Sequence, residues 1–425
     1  MMSEIAVSTF STTEHILTRF HQVRQQSIAL CEPLEIEDFV VQPTVDVSPP
    51  KWHLGHSTWF FENFILVEYV DNYQLYQPKY NYFFNSYYES QGPRILRSSR
   101  GNMTRPSVDD ILKYRQHVDS KIVALLSKDE VNDDLLHLIE VGLQHEQQHQ
   151  ELLVTDIKYI LGNNPMYPPY QDMMMEMRYQ EARPMAFEQI KEGIYEIGYD
   201  GNGFCWDNEQ SRHKVYLHDF EIADRLVTNG EYLAFIAAGG YENFEHWLME
   251  GIEWARSLEV KAPLYWYEKD GEWYHYTLRG LEKVNLEEPI THISYYEADA
   301  YARWKGMRLP TEQEWEVYCA KKHNSIPEDG NFVETMQFHP TVAESDKDNQ
   351  LLGQVWEWTS SAYLPYPNYP RFKGALGEYN GKFMVNQMVL RGGSCATPHS
   401  HIRTTYRNFF HADKRWQFTG IRLAK

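Results

Sequence analysis

The spacing of the apolar residues changes once along the chain, close to Pro165. Before this point apolar side chains recur every three or four residues, which is the period of a helix with one buried face. Beyond about Met185 the segments are short, rich in aromatic residues and separated by glycine, which is typical of strands and tight turns. One chain with both patterns is expected to form two domains of different class, and we place them at residues 1–170 and 171–425.

Four helical segments are predicted in the first domain. They begin near Thr13, after Pro50, after Ser107 and at Asp133, and the last ends at Gly162. Four amphipathic helices in about 150 residues indicate a four-helix bundle. The second domain is predicted to have the mixed α+β class, with short strands, glycine-rich turns and two short helices.

The strongest chemical signal lies in the last of these helices. His145 and His149 are one turn apart on a face that is otherwise apolar or small. Two buried imidazoles side by side are unfavourable as cations, and as neutral rings they need partners, which a metal ion supplies. A hydrogen-bonded core pair and a solvated polar patch are the alternatives.

A third imidazole is available on the second helix. His56 lies on the aromatic stripe of that helix and is expected to point inward, more so than His53. Three histidines suit Zn²⁺ for hydrolysis or Fe(II) for oxygen chemistry, and the spacing alone does not separate the two. The segment HEQQH also matches the HExxH motif of zinc proteases with Glu146 as the base, although no further ligand of that class follows it.

A long connection of about 35 residues joins the second and third helices, where bundle loops usually need about 2 to 8. It carries the pair Tyr87 and Tyr88, followed by Arg94 and Arg97. Long ordered loops are often functional, and the alternative is a surface flap whose aromatic residues cover the bundle.

The bulk composition bears on the function classes. The chain has 40 basic and 60 acidic side chains and a formal net charge of −20, which disfavours nucleic acid and anionic membranes as partners. The sequence has no run of about 18 apolar residues and no secretory signal, so we expect a soluble, cytoplasmic protein. Four scattered cysteines without a CxxC motif indicate neither a disulfide framework nor a thiolate zinc cluster. Nothing in the sequence specifies an oligomeric state.

Taken together, these motifs resemble the ergothioneine-biosynthesis sulfoxide synthases. The matching segments occur in family order over nearly the whole chain, and they are WHLGHSTWFFE, HEQQHQELL, GQVWEWTSS, RGGSCAT, RNFF and GIRLA. The resemblance implies a DinB-like four-helix bundle followed by a domain that resembles formylglycine-generating enzyme, with a C-type-lectin-like fold. It also implies a mononuclear non-haem Fe(II) held by His56, His145 and His149. The implied reaction uses O₂ to join a cysteine-type thiol to C2 of the hercynine imidazole, and it gives an S-oxide.

The resemblance assigns substrate-binding roles as well. Gln148 matches a glutamine that hydrogen-bonds the substrate imidazole, and Asn408 matches an asparagine that helps to hold the hercynine carboxylate. Phe409 and Phe410 are candidates to face the quaternary ammonium, or else they are packing residues. Phe410 stands where the enzymes that use γ-glutamylcysteine have an aspartate. The sequence therefore resembles the second type of the family, which accepts free cysteine.

In that second type the catalytic tyrosine lies on the bundle loop, where Tyr87 and Tyr88 match it. A tyrosine there would deliver a proton and steer the outcome from thiol dioxygenation to C–S bond formation. Arg97, or else Arg94, would pair with the cysteine carboxylate. C–S bond formation and sulfoxidation each remove two electrons, which matches the four-electron reduction of O₂ without an external reductant.

Three other functions stay open at this point. An ovothiol-type relative would form 5-histidylcysteine sulfoxide from histidine, although such enzymes commonly carry a C-terminal methyltransferase, and no such βαβ pattern is seen here. A metal-dependent thiol transferase of the DinB type would turn over without O₂. A lectin-like binding module would consume neither thiol nor oxygen. Cys395 stands alone after the GGS turn, which argues against formylglycine-generating activity, since that chemistry uses a cysteine pair.

Overall fold

The computed structural model describes residues 12–128, 131–171, 180–345, 350–370 and 379–425. The described residues form two compact units. The first contains the residues up to Ile160 together with Asp200–Cys205, and the second contains the others. None of the described helices combines the length and the apolar character needed to span a membrane.

The first unit is helical, as the apolar period predicts. Its helices are α1 (Thr13–Ala29), α2 (Pro50–Phe61), α3 (Val67–Tyr69), α4 (Tyr80–Phe84), α5 (Val108–Leu126) and α6 (Asp133–Gly162). The four predicted helices correspond to α1, α2, α5 and α6. Local signals explain where they begin, because Ser107 and Asp110 form a reciprocal capping box at α5, and Pro50 occupies the first turn of α2.

Helix α2 is buried along its whole length. Such close packing needs small residues at the contacts between helices. A Cβ atom on Gly142 of α6 would lie 2.8 Å from the ring of Phe61 on α2, which is closer than side-chain carbons approach. Gly142 therefore lets α6 approach α2, which carries His56.

A buried polar network joins all four long helices. The Glu146 carboxylate on α6 accepts hydrogen bonds from Arg24 Nη1 at 2.7 Å and Ser27 Oγ at 2.6 Å, both on α1, and from the Arg115 guanidinium on α5. Arg24 also donates to the Thr58 hydroxyl on α2 at 3.0 Å. Burial alone would raise the pKa of Glu146, but the charges of Arg115 and Arg24 lower this pKa to about 2. The carboxylate is thus ionised, and both of its oxygens accept hydrogen bonds.

The second unit mixes short helices and strands. Its helices are α7 (Asn229–Ala237), α8 (Met249–Ser257), α9 (Tyr295–Trp304) and α10 (Glu312–Lys322). Its strands are β1 (Phe187–Ile190), β2 (Gly193–Ile197), β3 (His213–Leu217), β4 (Phe220–Ala223), β5 (Trp266–Lys269), β6 (Glu272–Thr277), β7 (Gly280–Lys283), β8 (Trp356–Ala362), β9 (Gln387–Arg391), β10 (Asn408–His411) and β11 (Thr419–Gly420).

The strands of the described residues form four small sheets. β1 pairs with β4, β2 with β3, and β5, β6 and β7 form a sheet of three, all antiparallel. The largest sheet has the order β10, β9, β8, β11, and β11 runs parallel to β8. Trp356 and Trp358 on β8 are buried and belong to the core of this unit. Gly392 and Gly393 both have positive φ, so the turn after β9 requires glycine.

Candidate metal centre

Three histidine side chains converge inside the helical unit. His56 projects from α2, and His145 and His149 project from α6, so that one nitrogen of each ring lies within 4.8 Å of the other two. His56 and His145 are buried, and His149 is half-buried. The structure therefore brings together the three side chains that the sequence indicates as ligands.

The hydrogen bonds of His56 determine which of its nitrogens is available to a metal. Its Nδ1 lies 2.6 Å from the carbonyl oxygen of Phe84, and because a carbonyl only accepts, Nδ1 carries the proton. In the neutral ring Nε2 then keeps its lone pair. This Nε2 faces Nε2 of His145 at 3.1 Å, as expected for two ligands of one ion.

His149 is oriented by a second histidine. His53 Nε2 lies 3.0 Å from Asp156 Oδ2, and the carboxylate accepts, so His53 carries its proton on Nε2. His53 Nδ1 is then an acceptor for the Nδ1–H of His149, at 2.9 Å. This arrangement leaves Nε2 of His149 with its lone pair. The backbone N–H of Ser48 also donates to Asp156 Oδ2, at 2.8 Å, and helps to hold the chain of contacts in place.

The surroundings keep the three imidazoles neutral. Burial lowers the pKa of His145 to about 3, and it lowers the pKa of His56 and His149 well below their ordinary value, with the neighbouring histidines adding to the effect. Neutral imidazole is the form that binds a metal. Three neutral rings with converging nitrogens fit a divalent transition metal ion, and Fe(II) and Zn²⁺ share this ligand preference.

Aromatic rings surround the histidines. Trp52 and Trp59 stack on His56 with centroid distances of 4.6 and 5.5 Å, and Phe60 lies against His145 at 4.7 Å. Tyr88 is fully buried against Trp59 and Phe60. Trp59 and Phe60 thus contact Tyr88 as well as the histidines.

The half-buried Tyr87 stacks on Tyr88 with 4.7 Å between the ring centroids. Of the predicted pair, Tyr88 thus packs on the rings that contact the histidines, and Tyr87 covers Tyr88. The turn that carries the pair is held by Asn85, whose side chain bonds both the N–H and the carbonyl of Tyr88 at 3.0 Å.

The loop arginines occupy different environments. Arg94 pairs with Glu89 at 2.6 Å, and the exposed Arg97 donates to the Asp46 carbonyl at 2.5 Å. Arg100, which sequence reasoning did not select, is the arginine beside the histidines. Its guanidinium carbon lies 3.4 Å from the centroid of the Trp52 ring.

Arg100 is 4% exposed, and its described hydrogen-bond partners are hydroxyls, Ser48 Oγ at 2.9 Å and Ser86 Oγ at 3.1 Å. Burial lowers the pKa of this guanidinium, and the negative charge of Asp156 offsets only part of that effect. A buried cation without an ion pair among the described residues is well suited to an anionic ligand. The sequence contains four arginines in this loop, and nothing in their spacing reveals which one is buried.

The remaining predicted site residues are distributed over both units. Gln148 is half-buried on α6. Asn408, Phe409 and Phe410 begin β10 at the edge of the largest sheet of the second unit. Phe409 stacks on Tyr363 at 4.0 Å, and Phe410 packs edge to face on Trp416. Asn408 Oδ1 accepts from the N–H of Phe409 at 2.9 Å.

The zinc-protease alternative does not fit this geometry. In that class the glutamate of HExxH must act as a base on a metal-bound water. Here Glu146 is held by two guanidinium groups and a serine hydroxyl within the helical bundle. Its role is structural, and the histidine cluster lacks the base which that reaction requires of Glu146.

Comparison with known protein families agrees with the two predicted domains and their order. Residues 19–153 match the DinB superfamily, and residues 174–343 and 348–425 match the sulfatase-modifying factor enzyme 1-like domain. The predicted fold class, a helical bundle followed by a mixed domain, is confirmed.

Comparison with curated proteins gives relatives that match between about half and about nine tenths of this chain. The hercynine oxygenase of Mycolicibacterium smegmatis is 28% identical over 409 residues, covering 89% of this chain and 91% of that protein. The hercynine oxygenase of Mycolicibacterium thermoresistibile is 31% identical over 318 residues, covering 66% of this chain and 67% of that protein. Ergothioneine biosynthesis protein 1 of Schizosaccharomyces pombe is 30% identical over 235 residues, covering 52% of this chain and 28% of that protein.

Proposed function

Because this chain belongs to the hercynine oxygenase family, we propose that it is an Fe(II)- and O₂-dependent oxygenase of ergothioneine biosynthesis. Its substrates are hercynine and free cysteine, and its product is S-(hercyn-2-yl)-cysteine S-oxide. The observation that carries the proposal is the convergence of three neutral imidazoles, with lone pairs left free on His56 and His149 by their hydrogen bonds.

His56, His145 and His149 are the proposed iron ligands. Three protein nitrogens would hold the ion and leave further coordination positions for substrate and O₂. When bound, Fe(II) supplies the activation of O₂ and brings the thiol and the imidazole together. The protein contributes the neutral, oriented rings and the aromatic shell that limits access of water.

The reaction balances without a further cofactor. Loss of the C2 hydrogen and of the thiol proton on C–S bond formation is a two-electron oxidation. Addition of one oxygen atom to sulfur is a second two-electron oxidation. Together they supply the four electrons that reduce one O₂, with one oxygen atom retained in the S-oxide and the other leaving as water.

The tyrosine pair is proposed to supply the proton. Tyr88 packs on Trp59 and Phe60, Tyr87 stacks on Tyr88, and we propose that one of these two phenols acts as a general acid when substrate is bound. A proton delivered at the right step favours C–S bond formation over oxidation of the thiol to a sulfinate.

The cysteine carboxylate needs a cation. Arg97 and Arg94 are the candidates from the sequence, and the structure adds Arg100, whose guanidinium is buried beside Trp52. A carboxylate next to Arg100 would compensate its charge, which supports Arg100 as the strongest candidate.

Hercynine is assigned to the remaining predicted residues. Gln148 is proposed to hydrogen-bond the imidazole, and Asn408 to bind the carboxylate. Phe409 and Phe410 are proposed to lie near the trimethylammonium group, which interacts with aromatic faces and cannot form hydrogen bonds.

The test is an anaerobic reconstitution. The purified chain, loaded with Fe(II), is mixed with hercynine and cysteine, and mass spectrometry follows the S-oxide after O₂ is admitted. We expect product only with O₂. We also expect that histidine does not replace hercynine efficiently and that γ-glutamylcysteine does not replace cysteine efficiently. Product formed without O₂ would instead indicate a thiol transferase, and turnover of histidine would indicate the ovothiol-type reaction.

Matched histidine variants connect activity to the cluster. His149→Ala should abolish iron binding and turnover together, whereas His137→Ala, at an exposed position of the same helix, should change neither. Absence of product with cysteine and with γ-glutamylcysteine, in a protein shown to contain iron, would contradict the proposed function.

A further inference from the structure

The second unit contains a group of metal-binding side chains that the family resemblance does not assign. His275 lies on β6, Glu288 lies between β7 and α9, and His339 follows the short turn Val333–Thr335. One donor atom of each residue lies within 4.8 Å of the other two. Three separate segments therefore bring two imidazoles and one carboxylate to one point.

This group is largely withdrawn from solvent. His275 and His339 are each 6% exposed, and the Glu288 side chain is 17% exposed. His339 Nε2 lies 2.8 Å from Glu288 Oε2, and the two imidazoles meet edge to face with 5.5 Å between centroids. Polar atoms with so little exposure depend on partners supplied by the protein or by a bound ion.

Hydrogen bonding within the described residues leaves His339 incompletely satisfied. His339 uses Nε2 toward Glu288, whereas its buried Nδ1 has no hydrogen-bond partner in the described part of the chain. Among the described residues no lysine or arginine forms an ion pair with Glu288. A nearly buried carboxylate beside two imidazoles is the environment in which a divalent cation is strongly stabilised.

The backbone next to His339 is held in an uncommon conformation. Phe338 has φ of 48°, in the left-handed region that non-glycine residues rarely adopt. Its buried ring packs on Tyr170. Such conformations persist where the surrounding contacts enforce them, and they concentrate at binding sites. Packing thus positions His339 independently of its hydrogen bond to Glu288.

A neighbouring carboxylate is already engaged. Glu282 lies opposite His275 across β6 and β7. It accepts from Arg279 Nη2 at 2.7 Å and from Thr277 Oγ1 at 3.0 Å. Glu288 is therefore the carboxylate available at this point, and Glu282 provides a matched control.

We propose that His275, Glu288 and His339 bind a divalent transition metal ion, with Zn²⁺ as the reference ion. Two imidazole nitrogens and one carboxylate oxygen suit Zn²⁺, whereas Ca²⁺ and Mg²⁺ prefer oxygen ligands alone. Three protein ligands leave a position for water. The ion links β6 with the segment that follows β7 and with the more distant segment that carries His339, so its role is to stabilise the second unit.

The first test counts metal ions on the full chain. Metal-stripped protein is titrated with Zn²⁺ against a chromophoric chelator, and bound metal is measured by mass spectrometry. We expect two Zn²⁺ per wild-type chain, one in His145→Ala/His149→Ala, and one in His275→Ala/His339→Ala. A wild-type chain that binds a single Zn²⁺, lost with His145 and His149, would overturn the proposal.

The second test uses substitutions that preserve side-chain shape. In the His145→Ala/His149→Ala background, Glu288→Gln can still accept from His339 but loses its charge, and we expect Zn²⁺ affinity to fall at least about tenfold. Glu282→Gln should change the affinity by less than about threefold, since Glu282 is not a ligand. Circular dichroism verifies that both variants fold. Equal Zn²⁺ affinities in the two variants would contradict the site even if the histidine variants unfold.

Discussion

The orientation of His149 depends on two residues that do not face the cluster directly. The Asp156 carboxylate accepts from His53, and His53 in turn accepts from His149 Nδ1. Each hydrogen bond determines which nitrogen of the next ring carries the proton. The Asp156 carboxylate therefore acts through His53 to leave the lone pair on Nε2 of His149. Such outer contacts raise the basicity of a ligating histidine and hold its ring plane.

Removal of His53 should therefore weaken metal binding without removing a proposed ligand. For His53→Ala we expect the affinity for Fe(II) to fall about 10- to 100-fold, because His149 loses the acceptor that fixes its tautomer. Anaerobic competition with a ferrous chelator measures the affinity for Fe(II), and the variant His137→Ala, at an exposed position, is the control. An unchanged affinity in His53→Ala would show that the protein orients His149 by packing alone.

Arg100 is expected to determine the affinity for cysteine. Loss of a charge-assisted contact to a carboxylate costs about 1.5–3 kcal/mol, which corresponds to about a 10- to 100-fold rise in KM. Arg100→Lys should show this rise for cysteine and little change for hercynine, because lysine does not reproduce the planar guanidinium. Steady-state kinetics of Arg94→Lys and Arg97→Lys provide the comparison. A larger rise in either of those variants would assign the carboxylate to that arginine.

The tyrosine pair can be tested by removing only hydroxyl groups. Tyr87→Phe and Tyr88→Phe keep the stacked rings but remove the proton donor, and general-acid catalysis contributes about 10²- to 10⁴-fold. We expect at least one variant to form cysteine sulfinate at the expense of the S-oxide, with the product ratio measured by mass spectrometry. The same ratio in wild type and both variants would exclude both hydroxyls as the donor.

At the scale of the elements, α2 fixes the long loop through successive side chains. Trp52 Nε1 donates to the carbonyl of Phe83 at 3.0 Å, His56 Nδ1 to that of Phe84, and Trp59 Nε1 to the side chain of Asn81 at 2.9 Å. The same helix thus supplies a proposed ligand and positions the loop that carries the tyrosines. This docking requires Gly55, because a Cβ there would lie 2.3 Å from the ring of Phe84.

Gly55→Ala should consequently disturb both the fold and the cluster. Overpacking a core contact costs about 1–3 kcal/mol, and we expect a loss of stability of this size together with weaker Fe(II) binding. Urea unfolding followed by helical circular dichroism measures the stability. The double variant Gly55→Ala/Phe84→Leu provides space for the added methyl group and should recover part of both losses. No recovery would mean that the alanine acts through α2 itself.

The sequence predicts those features that arise within one element. The period of apolar residues and the capping signals located α1, α2, α5 and α6, and the helical spacing placed His145 and His149 on one face. The loop was recognised as unusual, but its short helix α4 and the burial of Arg100 follow from contacts with α2. Local patterns do not record contacts between elements, so Arg100 and the pairing of His53 with Asp156 required the structure.

At the scale of the whole molecule, the same limit explains why the second histidine group was not predicted. His275, Glu288 and His339 belong to three segments with no common period, and each alone is an ordinary residue of a mixed domain. The first cluster was predictable because two of its members share α6 and the third follows the stripe of α2. The family resemblance then joined the third histidine to the pair, as the ligand set that it implies.

Each compact unit has its own histidine group, so metal binding should protect each unit through its own residues. A metal ion at about 100 times its Kd stabilises the folded unit that binds it by about 2.7 kcal/mol. Amide exchange that requires this unit to open should then become about 100-fold slower. With Co²⁺ as an air-stable probe, we expect slower exchange in α6 and in β6. His149→Ala should remove the protection in α6 and leave the protection in β6. His339→Ala should remove the protection in β6 and leave the protection in α6. Hydrogen exchange read by mass spectrometry measures both regions in one experiment, and loss of protection in both regions from either single substitution would contradict independent sites.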